Sequence, residues 1–170
     1  NWASGLNAKG APTPAPEKEA IVPGALVSPV EGGTTNWQPP AYSPDTGLFY
    51  TQEDNAFNML YLTDPDPRGS MGLGGKMRVE VGSGGKFLTA INPVTGKVVW
   101  RRPYPNPSGG EGIGFLATAG GLLFGGDGSG NFVAYDASAG KPLWHTRIGT
   151  ISNAPQTYQF DGKQYVLIAT

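Results

Sequence analysis

Cysteine is missing from all 170 residues. Disulfides, thiolate nucleophiles, zinc–thiolate sites and a haem attached through C-x-x-C-H are therefore excluded. Histidine occurs once, as His145, which also excludes a cluster of imidazole metal ligands. Charge is sparse. The 12 basic and 13 acidic residues leave a net charge of -1, and charged residues make up only 15% of the chain. No basic patch exists to neutralise phosphates, so nucleic acid is not expected as a partner. No apolar run approaches the roughly 18 residues that a membrane-spanning helix needs. The chain starts at Asn1 rather than Met and shows no signal-peptide pattern, so the expectation is a processed or partial chain.

Glycine and proline are abundant, at 27 and 16 residues. Without a collagen period, that excess means either disorder or a turn-dense all-β fold. Disorder is disfavoured, because hydrophobic residues reach 38% and the 4 Trp, 7 Tyr and 7 Phe are spread along the chain.

An internal repeat decides the architecture. Residues 90–100 read AINPVTGKVVW and residues 134–144 read AYDASAGKPLW, so Ala, Asn or Asp, Gly, Lys and Trp recur in one register 44 residues apart. A period of roughly 40–50 residues is that of a propeller blade of four antiparallel strands. Phe132–Tyr135 suits a strand, and Asp136–Gly140 suits a turn in which an Asx side chain bonds backbone N–H groups. Pro142 suits an outer edge strand, where no ladder donor is needed. The small Ala leaves room for the Trp of a neighbouring blade.

One whole blade follows, with strands at 113–118, 122–126, 131–136 and 142–148. The next blade begins with strands at 154–160 and 164–170. The preceding one has strands at 38–43, 48–52, 86–91 and 98–102, because PPAYSPD at 39–45 matches PQTYQFD at 155–161. The expected organisation is a Pro-rich connecting segment (1–31), a blade at 32–105 with a long insertion at 53–85, a blade at 106–149, and half a blade at 150–170. Loops as long as that insertion are usually functional or mobile. Some two and a half blades cannot close a propeller, which takes roughly four or more. A partial propeller is expected, completed by further blades of a parent chain or by other copies.

The repeat A-x-[ND]-x-x-x-G-K-x-x-W resembles the tryptophan-docking motif of the pyrroloquinoline quinone (PQQ) dehydrogenases. So do GGTTNWQPPAYSPDTGLFY at 32–50, GFLATAGGLLFGGDGSGNFVAYDASAGKPLWH at 114–145 and DGKQYVLIA at 161–169, in the order of that family's C-terminal part. The resemblance implies an eight-bladed periplasmic propeller that oxidises an alcohol or a sugar by hydride transfer to PQQ. It implies Ca²⁺ or a lanthanide polarising a quinone carbonyl, an Asp base, and a cytochrome c as electron acceptor. Residue by residue, Asn36 matches the Asn whose amide bonds the PQQ edge, and Trp37 is its neighbour in the pattern. Read alone, Asn36 could equally cap a turn and Trp37 pack between blades. The family's metal ligands, base and stacking Trp have no counterpart in these 170 residues. A Trp-Gly pair that precedes LATAG in several members is replaced by Glu111-Gly112-Ile113-Gly114-Phe115. That departure leaves a second reading open, a non-catalytic propeller serving as a protein-assembly scaffold. A third, a peptide-binding propeller, rests only on general propeller habit.

Other residues have bland alternatives. Glu53, Asp54, Asp64 and Asp66 could bind Ca²⁺ or act as acid and base, but Asp also suits exposed turns. The Gly-rich 125–130 stretch lacks a following helix and reads as a hairpin turn. His145 reads as a partly exposed strand residue, and Arg101-Arg102 as solvated charge guarding an outer strand.

Overall fold

The computed structural model describes residues 2–19, 23–30, 32–62, 76–104, 114–151 and 153–170. Its described elements are β-strands, apart from a single 3-10 turn at Pro16–Lys18. The strands are β1 (Ala3–Leu6), β2 (Pro12–Pro14), β3 (Ala25–Val27), β4 (Ala41–Ser43), β5 (Leu48–Leu62), β6 (Lys76–Ile91) and β7 (Val98–Pro103). They continue with β8 (Leu116–Ala117), β9 (Leu122–Gly126), β10 (Asn131–Asp136), β11 (Pro142–Arg147), β12 (Gln156–Phe160) and β13 (Lys163–Leu167). The chain divides into two compact units. One comprises Asn1–Thr34 and Asp54–Gly84, the other Thr35–Glu53 and Gly85–Thr170.

The second unit carries the blades. β8, β9, β10 and β11 form a four-stranded antiparallel meander in sequence order. β4, β5, β6 and β7 form the preceding sheet, and β12 and β13 the following hairpin. The expected strand at 113–118 is two residues long, Leu116–Ala117, and Ile113 lies outside the described residues.

The repeat has identical local physics at both occurrences. Asn92 Oδ1 accepts from the N–H groups of Val94 and Thr95, each at 3.0 Å. Asp136 Oδ1 accepts from those of Ser138 and Ala139 at 2.8 and 3.1 Å. The Ser138 hydroxyl also donates to Asp136, at 2.6 Å, and holds its carboxyl below the ordinary aspartate value. Gly96 and Gly140 end the two turns at φ +69° and +65°, a region that glycine enters without steric cost. Ala90 pairs with Trp100 and Ala134 with Trp144, and a register shift follows each Ala.

Packing between blades follows from that geometry. Trp100 Nε1 donates to Ala137 O in the next blade's turn at 3.1 Å. A Cβ on Gly140 would lie 2.6 Å from the Trp100 ring, so only glycine admits the indole at that point. The indole also meets the fully buried Tyr50, with ring centroids 5.8 Å apart and the planes tilted by 35°. Leu48, Tyr50, Leu88, Leu123, Val133 and Tyr135 belong to one continuous core.

The first unit departs from the expected connecting segment and insertion. Residues 1–31 are not uniformly irregular: β1 and β2 pair antiparallel around a turn in which Asn7 Oδ1 accepts from Lys9 and Ala11 N–H. A two-stranded ribbon has only edge strands, so Pro12 and Pro14 are tolerated. The insertion at 53–85 is not a simple loop either. β5 runs on to Leu62 and β6 begins at Lys76, while β3 pairs with the far half of β5, Ala25 opposite Leu60. Buried Ala56 and Asn58 alternate with partly exposed neighbours on that extension, the period of a strand.

Candidate functional site

Three chain segments converge at the entries to successive blades. Gly114 sits where a Cβ would meet Ala154 Cβ at 2.6 Å, Pro39 Cδ at 2.8 Å and Pro39 O at 3.0 Å. Beside it, Phe115 N–H donates to Pro39 O at 2.9 Å. This contact anchors the bend that presents Asn36 and Trp37. Asn36 is exposed, and its side chain makes no hydrogen bond among the described residues. Trp37 is also exposed, at 55%. The structure therefore exposes the two residues side by side, the Asn36 amide and the Trp37 indole. Glu111-Gly112-Ile113, which replaces the family's Trp-Gly pair, lies outside the described residues.

Among the described residues the acidic candidates build no metal shell. Glu53 is ion-paired with Arg101, and its Oε2 accepts from Thr89 Oγ1 at 2.8 Å and Arg101 Nε at 3.0 Å. Asp64 and Asp66 lie outside the described residues. Among the described residues, no group of three or more His, Cys, Asp or Glu side chains comes together. The 125–130 stretch is a hairpin turn, with Asp127 Oδ1 accepting from Ser129 and Asn131 N–H at 2.8 and 3.1 Å.

The arginine pair is exposed on the edge strand β7, as expected, and each side chain also makes a specific contact. Arg101 is engaged by Glu53 and lies 3.6 Å above the Phe87 ring. Arg102 donates to Ala139 O at 3.3 Å and lines a cavity of about 460 Å³. The cavity lies between the β6–β7 and β9–β11 sheets, where Leu88 and its cross-strand partner Arg102 face Val133, Tyr135 and His145. Tyr135 is 7% exposed, and burial, helped by the Asp127 charge, pushes its hydroxyl up to about 12. Tyr104 donates its hydroxyl to Gly126 O at 2.7 Å beside it. The sequence marks Arg102 and His145 only as surface residues and does not bring them together with Tyr135. Its one signal was the period-two run Asn131, Val133, Tyr135, which places all three on a single face of β10.

A family model described as "Outer membrane protein assembly factor BamB" matches residues 84–166. The quinoprotein ethanol dehydrogenase of Pseudomonas aeruginosa is 43% identical over 149 residues, covering 82% of this chain and 23% of that protein. The 1-butanol dehydrogenase (cytochrome c) of Thauera butanivorans is 37% identical over 197 aligned positions, covering 99% of this chain and 26% of the relative. Among solved structures, quinohemoprotein alcohol dehydrogenase ADHIIG from Pseudomonas putida HK5 superposes with a TM-score of 0.81 at 29% identity, over 98% of this chain and 27% of that one. A europium-containing methanol dehydrogenase gives 0.79 at 29% identity, over 98% and 30%. This chain thus spans about a quarter of the length of the relatives it matches. In its four-stranded blades and over nearly its whole length this chain is similar to the quinoprotein alcohol dehydrogenases, and it has the architecture of part of their propeller.

Proposed function

We propose that this chain forms part of a periplasmic PQQ-dependent dehydrogenase that oxidises primary alcohols. One observation carries the reading: relatives named for ethanol and 1-butanol oxidation align with 82% and 99% of this chain. The family model described for an assembly factor covers a narrower stretch, 84–166, which is mostly the blade repeat. That match reflects the propeller and gives the scaffold reading no separate support. Alcohols are preferred over sugars as substrates because the relatives carry alcohol names.

The Asn36 amide beside the Trp37 ring fits a quinone edge. A carboxamide N–H can donate to a carbonyl, and the amide oxygen can accept once a hydroxyl forms there. Trp37 offers an indole face for a planar ring. When bound, PQQ supplies the two-electron acceptor for hydride leaving the alcohol carbon. This chain's contribution is to orient: Phe115 fixes Pro39, and the Gly114 contact fixes the height of the 36–39 bend. Calcium or a lanthanide is the expected accompanying ion, its ligands coming from outside the described residues. A cytochrome c is the expected electron acceptor.

The test uses the full-length protein, reconstituted with PQQ and Ca²⁺. Dye reduction is followed with a panel of primary alcohols and aldoses. Turnover with alcohols and none with aldoses is expected. Neither reduction nor bound quinone would leave the scaffold reading standing. Replacing Asn36 with Ala should weaken PQQ binding by about tenfold, the loss of one hydrogen bond to a buried carbonyl. Unchanged affinity in Asn36→Ala would remove Asn36 from the site.

A further inference from the structure

The 460 Å³ cavity between the two blades falls in the range of sites for small organic molecules, roughly 300–1,000 Å³. Its lining does not include Asn36 or Trp37, and its reading does not depend on the dehydrogenase.

Its polar groups are mostly donors still to be used. Tyr135 is 7% exposed, lines the cavity, and has no hydrogen-bond partner for its hydroxyl among the described residues. The hydroxyl oxygen itself is not fully buried, so it is a donor that a ligand in the cavity can reach. Arg102 commits one N–H to Ala139 O, which fixes the guanidinium and leaves the rest of its fork available. His145, exposed on β11, adds an imidazole at the rim. The acceptor in the cavity, Asp127, is already spent. It is 8% exposed and takes N–H groups from Ser129 and Asn131 on Oδ1, and the Asn131 amide on Oδ2 at 2.6 Å. The remaining walls, Leu88, Val133 and Pro142, are apolar.

We propose that this cavity binds a small organic monocarboxylate, whose carboxylate accepts from the Tyr135 hydroxyl and the Arg102 guanidinium and whose hydrocarbon part lies on Leu88, Val133 and Pro142. A cation would meet Arg102 with no free acid opposite. Inorganic phosphate would leave the apolar walls uncovered, and a neutral alcohol would leave the guanidinium charge unused. A carboxylate with a short hydrocarbon tail satisfies both sets of groups, and guanidinium forks match carboxylates geometrically.

Hexanoate titrated into the full-length protein by calorimetry, with hexanamide as its uncharged counterpart, tests this. Saturable hexanoate binding is expected with a Kd of about 1 mM or tighter. Hexanamide should bind about tenfold more weakly, since it lacks the charge-assisted bonds. Tyr135→Phe keeps the ring and the packing, and should weaken hexanoate about tenfold. Arg102→Gln, at an exposed position, should abolish the preference for acid over amide and decides the question even if Tyr135→Phe fails to fold. Equal binding of acid and amide, an unchanged Kd in both variants, or no saturable binding up to about 10 mM would each overturn the assignment.

Discussion

Gly140 and Tyr135 show how much single positions decide. At Gly140 two constraints coincide, a backbone at φ +65° and a Trp100 ring 2.6 Å from any added Cβ. Gly140→Ala should therefore cost about 2–4 kcal/mol in chemical denaturation, from backbone strain plus overpacking. In a Trp100→Leu background the overpacking part should largely vanish, so the two substitutions should be non-additive. Additive losses would mean that the indole does not rest on Gly140. Tyr135 makes a different prediction. Its hydroxyl ionises at about 12 in the folded state, against about 10 when unfolded. The raised value makes the stabilisation complete below pH 10 and progressively lost as pH rises toward 12, by up to about 2 kcal/mol. Stability measured against pH should fall less steeply over that window in Tyr135→Phe than in the parent. Identical slopes would show that Tyr135 ionises as freely folded as unfolded.

The strands combine such positions into shared networks. Glu53 on β5, Thr89 on β6 and Arg101 on β7 are cross-strand neighbours, and the carboxylate serves both partners. Arg101 is partly exposed, so the ion pair contributes little, about 0–1 kcal/mol. Thr89, however, is 2% exposed. Glu53→Gln keeps an acceptor for its hydroxyl and should lose no more than about 1 kcal/mol. Glu53→Ala orphans the hydroxyl and should lose a further 1–3 kcal/mol or so. Thermal unfolding of the two variants separates the effects, and equal melting temperatures would refute the role given to Thr89. At this scale the sequence was readable where the repeat spoke. Asx, Gly and Trp at fixed offsets located β9 and β10 to the residue. The first unit was opaque because Pro and Gly suppress any strand signal, yet edge strands tolerate both. The Asn36–Trp37 bend was visible through the family pattern, whereas the cavity was not. Arg102 and Tyr135 lie on different blades, and neither repeat position marks them.

For the molecule as a whole, the matching relatives are about four times longer than the aligned stretch. The described residues supply one proposed cofactor contact, Asn36, with Trp37 beside it, and no cluster of metal ligands. A net hydrogen bond contributes about 1 kcal/mol, while micromolar affinity requires about 8 kcal/mol. Aromatic contact with Trp37 adds roughly 0.5–1.5 kcal/mol beyond area burial. Those contributions together fall far short. Residues 1–170 purified alone should therefore show no micromolar binding of PQQ in the presence of Ca²⁺, and no alcohol-dependent dye reduction. Titration calorimetry over a range of protein concentrations is the decisive measurement, because association would make affinity rise with concentration. Micromolar binding at every concentration would mean that one copy of this chain holds the cofactor through residues beyond Asn36 and Trp37. Binding that strengthens with concentration would instead mean that copies associate and surround the quinone together.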